Sequence, residues 1–208
     1  MKLTSESKVF LGIGIITGLL ITIAAIVFSL PGKPVEKAKL IDATTHTIGN
    51  PDAPTWLVEF SDFQCPACQI FSSTVEALIA TYPDRLFLAY RHFPLQQHPE
   101  SVPAARAAEA AGVQGKFFEM GNYLFTNQAS LSASFYPSAA AALGLDKDAF
   151  IRDSANTELL SKIRADEALG NQLGVNATPT FFLNGVKLAV GSPEDLKKAV
   201  EESISSSK

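Results

Sequence analysis

Thr55-Trp56-Leu57-Val58-Glu59-Phe60 runs through Ser61-Asp62-Phe63-Gln64 into Cys65-Pro66-Ala67-Cys68. The first part has the β-branched and aromatic content of a buried strand. Beyond the cysteines, Ile70, Phe71, Val75, Leu78 and Ile79 recur at helical spacing up to Tyr82-Pro83. The two cysteines therefore stand where a strand hands over to a helix. At a helix N-terminus the unpaired N–H groups and the dipole favour negative charge, and the thiolate is the attacking species in disulfide exchange. Cys65 is placed to be that thiolate. Cys68, in the same turn, is close enough to resolve a mixed disulfide. Pro66 suits a first-turn position, where its missing N–H costs no hydrogen bond. Ala67 is small and uncharged and lends the thiolate no electrostatic help.

Working outward, Thr45 to Ile48 reads as a short strand closed by the turn-prone Gly49-Asn50-Pro51-Asp52, and Leu86 to Phe93 as a further apolar strand. The middle of the chain changes character. Ala104 to Ala111 is an alanine-rich helix with Arg106 and Glu109 facing outward, and Phe117, Phe118, Tyr123, Leu124 and Phe125 mark an aromatic one. Ser138 to Leu143 gives a short third helix and Lys147 to Leu169 a fourth. Strands return at Thr180-Phe181-Phe182-Leu183, and Asn184-Gly185 turns that strand into Val186 to Val190 as a hairpin. Ser192-Pro193-Glu194-Asp195 opens a last helix, with Ser192 as cap and Pro193 in its first turn. One mixed sheet flanked by helices accommodates this order, with a helical block inserted into an α/β domain.

The 208 residues carry a net charge of −4, with 47% hydrophobic and 18% charged side chains. No basic stripe is present, so nucleic acid is not an expected partner. From Val9 to Leu30 no side chain is charged, long enough for a helix to cross a hydrocarbon core of about 30 Å. The run is longer than a signal peptide's apolar region, and Phe28-Ser29-Leu30-Pro31 is a poor cleavage site, which favours a retained anchor. Lysines flank both ends, so the positive-inside rule does not orient it. The expected organisation is a tail over 1–8, an anchor over 9–30, a Pro/Lys-rich stalk over 31–43, and a domain over 44–208 with its helical insertion at about 95–172.

Only two cysteines occur, both in the one Cys-x-x-Cys. A structural zinc site needs four ligands, and His46, His92 and His98 do not sit at ligand spacing. No metal site is expected. Taken alone, the pair still permits zinc, redox chemistry or delivery of a soft metal such as Cu(I). His92 and His98 are expected at strand ends or in loops, bonding backbone. Phe117, Phe118, Tyr123 and Phe125 are expected in the core.

Thr178-Pro179 before the hairpin strand sharpens the reading. With Phe60-Ser61-Asp62-Phe63-Gln64-Cys65-Pro66, Tyr90-Arg91-His92-Phe93-Pro94-Leu95, His98-Pro99 and Gly115-Lys116-Phe117-Phe118-Glu119-Met120, it makes the chain resemble the DsbA-like branch of the thioredoxin superfamily from about Thr45 to the final helix. The resemblance implies a thioredoxin fold with an inserted helical block. It implies that Cys65 is the nucleophile and Cys68 the resolving thiol, and that Pro179 is a cis-proline beside them. It further implies that Thr178, Pro179, Pro66 and Ala67 contact substrate, and that Glu59 is a buried acid relaying protons beneath the pair. An acid on a buried strand facing thiols has a raised pKa and serves as a base near neutrality.

The activity so implied is oxidation of cysteine pairs in exported proteins, outside the cytoplasmic membrane, without a cofactor beyond the cysteines. Its expected partners are reduced or unfolded proteins and a quinone-linked membrane oxidase that recharges the pair. Ala67 stands where well-studied oxidases carry a His, which points to a weaker thiolate and a lower reduction potential. The alternatives are a reductase or isomerase of the same fold and, in a different class, a copper-binding thiol metallochaperone.

Overall fold

The computed structural model describes residues 17–20, 22 and 33–207. The chain divides into two compact units, Met1–Lys33 and Pro34–Lys208. In the first, residues 17–20 and 22 are helical, and the Thr22 hydroxyl donates to the Gly18 and Leu19 carbonyls at 3.1 and 2.8 Å. The tail expected over 1–8 and nearly all of the anchor expected over 9–30 lie outside the described residues. Among the described residues no helix is long and apolar enough to cross a membrane.

The second unit runs α1 (Lys37–Leu40), β1 (His46–Gly49), β2 (Thr55–Ser61), α2 (Pro66–Thr81) and β3 (Leu86–His92). The helical block follows as α3 (Ser101–Val113), α4 (Phe117–Thr126), α5 (Phe135–Ala142), α6 (Lys147–Ser154) and α7 (Thr157–Gln172). The chain closes with β4 (Thr180–Leu183), β5 (Val186–Lys187) and α8 (Pro193–Ser206). The sheet order is β1-β3-β2-β4-β5. β2 and β3 are parallel, joined by α2 as crossover; β1 pairs antiparallel with β3, and β4 with β2. β2 is thus central and covered on both faces, which is why it reads as a nearly unbroken apolar run.

Alternation along β2 divides the core. Leu57 packs with Phe71, Val75, Phe181, Leu196 and Val200 on the α2 and α8 side. Val58 and Phe60 pack with Ala89, Phe93, Phe182 and Leu40 on the other. Glu59 and Ser61 share Leu57's parity, so both project toward α2 and the cysteines. The helical block has its own core, where Ala104, Ala108 and Ala111 of α3 let Phe117, Met120 and Leu124 of α4 approach closely.

Several expectations are corrected. Lys147 to Leu169 is two helices, because Asn156 caps a new one: its Oδ1 accepts the Glu158 N–H at 2.9 Å. The short helix starts at Phe135 rather than Ser138. The hairpin's second strand stops at Lys187, with a single bond beyond it, Leu188 N–H to Phe181 O. From Val35 onward the expected stalk is part of the domain. The Val35 N–H bonds Gly185 O at 2.8 Å, Leu40 is fully buried, and Arg91 Nε donates to Leu40 O at 3.0 Å. Gly185 is required at that contact: with φ at +83°, a Cβ there would also meet the Val35 carbonyl.

Glu109 was expected to face outward and is buried. His46 Nε2 from β1, His92 Nε2 from β3 and Lys162 Nζ from α7 all donate to its carboxylate, at 3.1, 2.8 and 2.7 Å. Those donors hold its pKa well below the usual carboxylate range against the opposing effect of burial. An alanine-rich helix conceals this, since its small residues pack on every side. His92 accordingly bonds a carboxylate rather than backbone.

Candidate active site

Cys65 is the N-cap of α2 with Pro66 in the first turn. Both cysteines are free thiols. Cys68 is fully buried and Cys65 nearly so, while Pro66 is exposed and Ala67 half-buried. The Thr178–Pro179 peptide is cis, and its approach brings Thr178 O within 3.4 Å of the Cys65 Sγ. The structure therefore gathers Cys65, Pro66, Ala67, Cys68, Thr178 and Pro179 at one end of the sheet.

The two thiols are electrostatically unequal. The hydrogen bond with Cys68 leads in pulling the Cys65 thiol down to about 5; burial opposes it, and the Thr178 side chain and the N–H groups of Cys68 and Ala67 add to it. As a thiol Cys65 donates to Thr178 O, which favours the proton. The Thr178 hydroxyl, with no other partner among the described residues, is free to favour the thiolate. Donors to the anion outweigh that carbonyl. Burial pushes Cys68 far above an ordinary thiol, and its bond to Cys65 and the nearby Glu59 charge push it further. Ala67 brings no side-chain charge, as expected, but its backbone N–H helps hold the Cys65 thiol down.

Glu59 is 4% exposed, and burial raises its carboxyl to about 7. Its Oε1 lacks a hydrogen-bond partner among the described residues, as do Ser61 Oγ and Tyr90 OH beside it. A carboxyl of that pKa exchanges protons readily near neutrality.

Sequence reasoning passed over the residues that hold this loop. Asp62 is buried, and its Oδ1 accepts the Gln64 N–H at 2.8 Å. Its Oδ2 accepts from Leu95 N–H at 3.1 Å, His98 Nδ1 at 2.7 Å and Ser101 Oγ at 2.5 Å. His98 thus bonds a carboxylate, not backbone. From the helical block, Gln128 Nε2 donates to Phe63 O and Cys65 O, both at 2.9 Å. The only local signal was Asp62 itself, an acid in an apolar run. Among the described residues no group of three or more His, Cys, Asp or Glu side chains is arranged to hold a metal ion.

Two free thiols of unequal character at a helix N-terminus, with a cis-proline beside them, are equipped for thiol–disulfide exchange, the activity of thioredoxin-fold oxidoreductases. The chain belongs to the thioredoxin family, whose profile, described as "Thioredoxin", matches residues 42–202. A thioredoxin-like oxidoreductase from Silicibacter pomeroyi is similar in structure, with a TM-score of 0.69 and 29% identity over 81% of this chain and 97% of that one. Alpha-DsbA1 of Wolbachia pipientis shares the fold, with a TM-score of 0.71 and 22% identity over 81% and 94% of the two chains. The structural neighbours thus include proteins of the DsbA-like kind. In sequence, 143 residues are 42% identical to part of the Na(+)/H(+) antiporter NhaA 1 of Mycobacterium sp. strain KMS. That match takes in 67% of this chain but 23% of the relative, so the chain spans about a quarter of the length of the curated relatives it matches.

Proposed function

We propose that this chain oxidises cysteine pairs in exported proteins, using the Cys65–Cys68 disulfide as its oxidant. The observation that carries the reading is the inequality of the two thiols. A Cys65 that is anionic near neutrality stabilises the reduced pair, and a stabilised reduced form is what makes such a disulfide oxidising. The Ala67 argument for a weak oxidant is offset by Cys68, by Thr178 and by the backbone N–H groups at the helix end.

In the proposed cycle a substrate thiolate attacks Cys65 Sγ of the oxidised pair. The Cys65–Cys68 bond breaks, a substrate–Cys65 bond forms, and Cys68 leaves as a thiolate that takes a proton from Glu59. Pro66 and Ala67, with the backbone at Thr178-Pro179, hold the substrate segment. The substrate's second thiolate then attacks its own sulfur in the mixed disulfide and expels Cys65 as the favoured thiolate. Two electrons have passed to the protein, and a quinone-linked membrane oxidase would take them away. Placement outside the cytoplasmic membrane fits where disulfides persist, and the uncharged Val9 to Leu30 supports a membrane tether.

The reduction potential of the pair tests this. A value in the range of roughly −120 to −180 mV is expected, whereas one near about −270 mV would make the chain a reductase. Cys68→Ser is expected to trap substrate on Cys65 as mixed disulfides in cells. If it traps none, exchange through Cys65 is refuted.

A further inference from the structure

Between α2 and α4 lies a cavity of about 280 Å³ that disulfide exchange does not use. Val75 and Ile79 of α2 and Phe118 and Phe125 of α4 give it apolar walls. Two carboxyl groups break that character. Glu59 lines the cavity from β2, buried, with its Oε1 unpartnered among the described residues. Glu76, an exposed residue of α2, lines the open side. Tyr90 also contributes to the lining, and its hydroxyl too has no partner among the described residues. No Lys, Arg or His is among the lining residues.

An unpartnered buried acceptor is costly, so a ligand that supplies a donor there gains more than one hydrogen bond's ordinary net worth. Apolar walls with a few convergent polar groups are the usual make-up of small-molecule sites. An apolar cavity of about 150 Å³ holds benzene, so this one has room for a ring with a short chain. The charge pattern selects among such molecules: acids at both depths and no base repel a carboxylate and attract a cation.

We propose that this cavity binds a small apolar molecule bearing one protonated amine, whose ammonium donates to Glu59 Oε1 while its body fills the space between α2 and α4. The site is distinct from the thiols and is built without them. Its occupant shares only Glu59 with the exchange machinery and holds that carboxyl ionised.

Calorimetric titration of the full chain at pH 8 with 4-phenylbutylamine, 4-phenylbutanol and 4-phenylbutyrate tests the proposal. The amine is expected to bind about tenfold or more tighter than the alcohol, as a charge-assisted hydrogen bond warrants, and the carboxylate not at all. Ala80→Trp, at an exposed position lining the cavity, is expected to block the amine, and Glu59→Gln to weaken it about tenfold. The Cys65→Ser/Cys68→Ser chain is expected to bind as the wild type does, so loss of thiol exchange leaves this result untouched. Equal binding of amine and alcohol, undiminished binding to Ala80→Trp, or no binding of the amine at all overturns the proposal.

Discussion

Replacing Glu59 by Gln keeps the side chain's size and removes its charge. Burial raises this carboxyl from its ordinary 4.5 to about 7. Between those two pH values the folded chain keeps a proton that the unfolded chain has released. The unfolded state binds fewer protons there, so stability falls as pH rises through that window and levels off above it. The interval from 4.5 to about 7, at about 1.4 kcal/mol per pH unit, amounts to about 3 kcal/mol lost by pH 8. Gln carries no such dependence; its unpaired amide imposes a cost that is the same at every pH.

The expected result is therefore a change, not a single value. Relative to wild type, Glu59→Gln gains about 3 kcal/mol between pH 4 and pH 8. Urea unfolding of the reduced chain, followed by fluorescence of the single tryptophan, Trp56, measures it. The same variant is expected to slow formation of the mixed disulfide by about a hundredfold, since the departing Cys68 thiolate loses its proton donor. A stability difference that stays constant from pH 4 to pH 8 would show that Glu59 is not a buried acid with a raised pKa, and the proton relay would fall with it.

Two more outcomes follow from the electrostatics. Alkylation of Cys65 by iodoacetamide is expected to reach half its maximal rate near pH 5, with Cys68 inert through neutrality, and Thr178→Val to move the midpoint upward; a midpoint at the ordinary thiol value would remove the basis for an oxidising pair. Glu109→Ala leaves Lys162 and two histidines without their shared carboxylate and is expected to cost about 3–5 kcal/mol at pH 7, read by urea unfolding. Because the folded Glu109 pKa is depressed, its contribution is present above about 4.5 and lost as pH falls below that, so the cost should shrink in acid.

Much of the fold was legible because local patterns and global packing agree. β2, α2, β3, the Asn184-Gly185 hairpin and α8 announce themselves by periodicity, turn residues and caps, and each packs where the pattern points. The errors cluster where a short-range signal is weak. The break between α6 and α7 depends on one asparagine cap, and the docking of residues 35–40 on Gly185 and Arg91 depends on partners far along the chain. The helical block's alanines read as a helix but not as a buried one, so the Glu109 cluster stayed hidden.

Sequence alone determined the dithiol's place at a strand-to-helix junction, since composition and spacing act over a few residues. It also pointed through Thr178-Pro179 to the segment that faces it. Only the tertiary structure decided the thiols' character. A pKa depends on burial and on charges within a few ångströms, and those neighbours come from β2, from the β4 approach and from α2 itself. The same holds for Asp62, whose Oδ2 takes partners more than thirty residues away, and for the cavity at Glu59, which exists only once α2 and α4 are laid across the sheet.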